Sequence, residues 1–79
     1  MNKSWILHGP QGTGKTLHAP SIARLLDLPI IDDERDLRAR SFRPFGVLHI
    51  ADELPVWARD NRHVISIEAA LERLAKAQA

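Results

Sequence analysis

Cysteine is absent from the chain, so no disulfide can staple it and no thiolate can serve as metal ligand or nucleophile. That absence agrees with a reducing compartment, and the expected location is cytoplasmic. Long apolar runs are missing too. Nothing approaches the roughly 20 residues that cross a bilayer, and Trp5-Ile6-Leu7 is far too short for the apolar part of a leader. No membrane association is expected. Charge of one sign is not in excess, with 11 Lys and Arg against 10 Asp and Glu, so charge gives no reason to expect a nucleic-acid partner. Repeats, low-complexity tracts and linkers are absent as well. At 79 residues the chain is expected to be one small domain, residues 1–79. A chain of that size buries only about 60% of the surface it exposes when unfolded.

What is present is a set of four short apolar runs bounded by Gly, Pro, Asn or Asp, the punctuation of strands. Residues 4–8 stop at Gly9-Pro10, residues 28–31 at Asp32-Asp33, and residues 46–51 at Asp52-Glu53; residues 63–67 form the fourth. A first helix is expected over about 14–27, with Ile22, Leu25 and Leu26 at i, i+3, i+4 facing a sheet. Pro20 lacks the amide that would bond Thr16, which predicts a kink or disturbance there. A second helix is expected over about 68–78, with Ile67, Ala70, Leu71 and Leu74 as its apolar stripe and Glu72 and Lys76 as an i, i+4 pair. Residues 33–40 can form a short charged helix before Pro44 breaks it. Strands alternating with helices predict an α/β fold: a small, mostly parallel four-stranded sheet with two main helices.

Between the first strand and the first helix lies Gly9-Pro10-Gln11-Gly12-Thr13-Gly14-Lys15-Thr16, a full match to G-x-x-x-x-G-K-[ST]. Glycines at 9, 12 and 14 admit backbone conformations closed to other residues, so several amides can point inward. Such amides make an anion-binding concavity, and the helix that follows adds its positive end. Lys15 supplies a point charge for outer phosphates, and the Thr16 hydroxyl can ligate Mg²⁺.

These residues resemble the P-loop NTPase superfamily, in which this loop binds ATP or GTP. Over roughly residues 6–34 the chain looks most like shikimate kinase and related small-molecule kinases, reduced in size. The resemblance implies that Gly9, Gln11, Gly12, Thr13, Gly14, Lys15 and Thr16 hold the phosphates and that Mg²⁺ is the cofactor. Two acid sites compete for the metal. Such kinases carry Asp-x-Asp after the second strand, and here Asp32 and Glu34 stand in those places; a solvated acidic turn is the plainer reading. The better claimant is the apolar strand ending in Asp52-Glu53. By resemblance to ATPases with an added catalytic strand, Asp52 would be the metal-side acid and Glu53 the general base. His49 interrupts that strand and Ala51 weakens it.

The remaining polar residues read blandly. Arg35, Arg38, Arg40, Arg43, Arg59 and Arg62 are solvated charges, and nothing in the sequence selects one for a γ-phosphate. Arg38, Arg40 and Arg43 surround Phe42, but Asp32, Asp33, Glu34 and Asp36 precede them and blunt any attraction to nucleic acid. None of His8, His18, His49 and His63 forms an i, i+4 pair with another, so a helical zinc site is not indicated. His8 and His49 could share a hydrogen bond across neighbouring strands. Trp5 and Trp57 read as packing residues, with Trp57 placed to cover the sheet edge or meet a partner.

The expected function is Mg²⁺-dependent binding of ATP or GTP with at most slow hydrolysis, Lys15 and Glu53 being the candidate catalytic residues. Two rivals stand beside it. One is a non-catalytic interaction module that keeps the fold and binds a protein partner or a second copy near Phe45 and Trp57. The lack of room for a lid or substrate insertion favours that module; the other rival is a small-molecule kinase stripped to its core.

Overall fold

Ile6 and Leu7 are both fully buried although neighbouring side chains leave a strand on opposite faces. The strand that carries them, β1 (Trp5–His8), must therefore lie inside a sheet covered on both sides. The computed structural model describes residues 2–10, 15–33 and 37–78, with Thr16 and Gln78 by backbone alone, and it has this arrangement. β2 (Ile30–Asp32), β3 (Val47–Ala51) and β4 (Val64–Ser66) join β1 in a four-stranded parallel sheet of order β2-β3-β1-β4. All five residues of β3 are buried, as expected of an inner strand.

Two helices, α1 (Lys15–Leu25) and α2 (Ile67–Gln78), pack side by side on one face. Ala19, Ile22 and Ala23 of α1 and Ile67 and Ala70 of α2 close over Leu7, Leu48, Ile50 and Ile65. The other face has no α-helix among the described residues. There Leu37 and Phe42, ahead of β3, and Leu54 and Ala58, after it, cover Ile6, Ala51 and Val64. Crossovers between parallel strands keep one hand. A connection running toward β2 and connections running away from it must therefore lie on opposite faces. Helix α1 carries the chain outward from β1 to β2, and the irregular segments carry it back to β3 and on to β4.

Several expected details shift, each for a local reason. The buried stripe of α1 is Ala19, Ile22 and Ala23, with Leu26 partly buried just past its end, while Leu25 is exposed. Pro20 lies on the exposed side of α1 and does not interrupt it. Leu28 and Pro29 do not enter β2 because they complete the helix end. Asp27 takes a left-handed conformation (φ 56°), Asp27 N donates to Arg24 O and Leu28 N to Ala23 O, the paired bonds of a Schellman cap. Gly46 (φ 79°) turns the chain into β3 rather than belonging to it. Ile67 opens α2 instead of closing β4, and the Ser66 hydroxyl caps that helix by accepting from Ala69 N. Of the short charged helix expected over 33–40, residues 34–36 lie outside the described residues; what is described is a 3-10 turn at Ala39–Ser41. The Glu72–Lys76 pair forms on the exposed side of α2 at 3.3 Å.

Candidate functional site

In a parallel sheet every strand delivers its carboxyl end to the same edge. Here that edge gathers Gly9 after β1, Asp33 after β2, Asp52 after β3 and Ile67 after β4. The chain leaves β1 toward the helical face and leaves its neighbour β3 toward the irregular face. Where adjacent strands send their connections to opposite faces, a crevice opens at the carboxyl edge, and open α/β sheets bind ligands there. In this sheet that point lies between Gly9 and Asp52.

Lys15, the first residue of α1, folds back into the crevice and is only 6% exposed. Its ammonium carries three N–H donors and meets three oxygens: the Gly9 carbonyl, the Pro10 carbonyl at 3.1 Å and Asp52 Oδ1 at 3.2 Å. A buried ammonium needs such partners. Asp52 keeps more contact with water, at 30% exposure. Gly9 is held in place as well, its amide donating to Ala51 O at 3.3 Å and so extending the β1–β3 ladder past the strand end. Three of the residues singled out by sequence (Gly9, Lys15 and Asp52) are thus brought together. Glu53 follows Asp52 and is exposed. Gln11, Gly12, Thr13 and Gly14 lie outside the described residues, as do Glu34 and the Thr16 side chain.

Asp32 is not part of this crevice. It ends β2, one strand further out, where its Oδ2 lies 3.4 Å from Nδ1 of the buried His49 without hydrogen-bond alignment. The expected bond between His8 and His49 does not form. The other ring nitrogen of His49, Nε2, accepts from Arg43 N at 3.1 Å, and Phe42 packs against the ring with centroids 4.9 Å apart. Phe42 in turn meets Trp57 edge-on at 5.6 Å. These contacts make Phe42 part of the irregular cover rather than a platform for a base. Every arginine among the described residues is exposed.

His8, read from the sequence as a structural histidine, ends β1 next to Gly9 and close enough to Lys15 to feel its charge. Burial lowers its pKa below the usual imidazole range, and the Lys15 charge lowers it further. The sign follows directly. The unfolded chain takes up this proton more readily than the folded one, so stability is fully present above about pH 6.5 and is lost as pH falls through the lower folded value. Urea titrations between pH 5 and 7.5 should show that decline, and His8→Gln should flatten it. An equal decline in His8→Gln would remove His8 as its source.

Among the described residues, no three His, Asp or Glu side chains are grouped to hold a metal ion, and no helix is long and apolar enough to cross a membrane. No protein-family model, curated protein or solved structure matches the chain.

Proposed function

We propose that the chain binds a magnesium–nucleoside triphosphate at the crevice between β1 and β3, as a reduced relative of the P-loop NTPases. One observation carries this reading: the lysine of the G-x-x-x-x-G-K-T motif stands against Asp52, the acid expected for the metal, at the sheet edge where ligands collect. Gly9, Gln11, Gly12, Thr13 and Gly14 would cradle the phosphates, with Lys15 on the outer ones. Thr16 and Asp52 would face Mg²⁺. A single carboxylate fits that ion, which keeps most of its waters and takes the rest of its shell from phosphate. Glu53, exposed beside Asp52, is the candidate base for slow hydrolysis of ATP or GTP.

The two acids test the reading. Asp52→Asn should cut the Mg²⁺-dependent part of nucleotide affinity by about tenfold or more, the range seen when a group near a metal is lost. Asp32→Asn should leave it nearly unchanged. Calorimetric titration with and without Mg²⁺ measures both, and the reverse order would move the metal to β2 and favour the kinase-like reading.

A second reading, the interaction module, draws on exposed aromatic side chains and on a hollow at the strand starts. Phe45 and Trp57 are 52% and 42% exposed, large for aromatic side chains. An open hollow of ≈ 220 Å³ lies beside Phe42, Phe45 and His63 at the strand starts. A protein partner or a second copy seated there would leave the crevice at the carboxyl edge untouched. Nucleotide binding without turnover at any concentration would favour this reading.

A further inference from the structure

The hollow at the starts of β1, β3 and β4 joins an apolar wall to polar groups with hydrogen-bond donors to spare. We propose that it binds a small aromatic carboxylate, the ring against Phe42, Pro44 and Phe45 and the carboxylate toward Lys3 and Asn61. The proposal rests neither on the phosphate site nor on a protein partner.

The wall is held in place by its neighbours. Phe42 packs on His49 and on Trp57, with ring centroids 4.9 Å and 5.6 Å apart. The Pro44 carbonyl accepts from Ser4 N at 3.0 Å. Lys3 and Phe45 face each other in an antiparallel bridge, and residues so paired send their side chains to the same side. A cation therefore stands beside the exposed ring of Phe45. The hollow, at ≈ 220 Å³, is smaller than the roughly 300–1,000 Å³ that hold drug-sized ligands, so it suits a body of a single ring.

The polar groups call for an acceptor. Asn61 Oδ1 accepts from His63 N at 2.9 Å, which fixes which end of that side-chain amide is oxygen. Its nitrogen keeps two N–H donors and has no partner among the described residues. Lys3 brings three donors and no acceptor, and it forms no ion pair among the described residues. No described residue lining the hollow is acidic. Next to the lining residues in sequence stand Arg43 and Arg62, both exposed, against one exposed acid, Asp60. Charge here is thus positive in excess, although the whole chain carries only +1. A carboxylate answers both the donors and the charge, an amide answers the donors alone, and an amine answers neither.

The test is an amide NMR titration with phenylacetate, phenylacetamide and phenethylamine, which share a ring and differ in charge. Phenylacetate should shift the amides of Phe45, Asn61 and His63 saturably. Phenylacetamide should bind about tenfold more weakly, the low end of what a hydrogen bond to a charged group is worth, and phenethylamine more weakly still. Lys3→Met should cost phenylacetate about threefold, within the range of an exposed ion pair, and should leave phenylacetamide unchanged. Asn61→Asp keeps an oxygen for His63 N but puts a like charge in place of the donors, so it should weaken phenylacetate about tenfold or more. Phe45→Ala removes an exposed side chain and should weaken all three ligands. Equal affinity for the three, or no saturable shift with phenylacetate up to about 10 mM, would overturn the proposal. Phenylacetate affinity unchanged in both Lys3→Met and Asn61→Asp would do the same. Shifts of these amides on concentrating the ligand-free chain, not reversed by phenylacetate, would seat a second copy in the hollow instead.

Discussion

Lys15→Ala is expected to weaken binding of a magnesium–triphosphate by about 100-fold or more while leaving the fold intact. A charge-assisted contact to a phosphate is worth about 1.5–3 kcal/mol, and truncation also removes a fixed positive charge from the loop. The fold should tolerate the change. Lys15 sits in the first turn of α1, where a cation opposes the positive end of the helix, and the partner it abandons, Asp52, has water to turn to. Calorimetry for affinity and amide NMR spectra for the fold separate the two effects. A folded Lys15→Ala chain that binds as tightly as the unmodified one would end the case for a phosphate site here.

Turnover carries the other large expectation, and it is a low one. Rate gains in phosphoryl transfer come from positioned cations in a site closed to water, and a supplied arginine alone contributes about 10³–10⁵-fold. The described arginines are all exposed, where the high dielectric weakens any charge they offer. The chain alone should therefore hydrolyse ATP or GTP at about 10⁻³ per second or slower, the pace of P-loop proteins without that help. If a second copy supplies the arginine, activity per chain will rise with concentration. Phosphate release measured across a dilution series decides the point. Fast hydrolysis that stays constant per chain on dilution would show that Glu53 and an arginine of the same chain suffice.

Most of the elements were legible because their signals are local. Ser4 to His8 and Gly46 to Ala51 are apolar and end in Gly-Pro or Asp-Glu, and both strands lie within a residue of where those signals put them. The stripe of α2 packs on the core as its spacing indicates, Ile67 and Ala70 buried and Leu71 and Leu74 partly so. Local signals failed where a neighbouring element competed for the same residues. Leu28 has the composition of a strand residue, yet its amide is taken by Ala23 O at the end of α1, which pushes β2 two residues along the chain. The strand order was not fixed by any local signal; that the first and third strands are neighbours stood only as a condition, as for a bond between His8 and His49. That β3 rather than β2 lies beside β1 decides which acid reaches Lys15, and it is set by packing on both faces, which no window of sequence contains. The same holds for His49, whose partners Arg43 and Asp32 were not apparent from its place in an apolar run.

The two outer strands limit how this molecule can meet a copy of itself. β2 and β4 are three residues each, so either rim of the sheet offers only a few backbone groups to an incoming strand. On the β2 side, Pro29 has no amide to donate just before the strand begins, and Asp32 brings a charge to its far end. On the β4 side the chain turns into α2 immediately after Ser66. Short rims with a proline or a charge at their ends are how sheets avoid runaway lateral growth. Extension of the sheet from one molecule into the next is therefore disfavoured on both sides. A second copy would instead meet side chains, exposed apolar ones such as Phe45, Val56 and Trp57 among them, which keeps any assembly separable from the pairing that builds fibres.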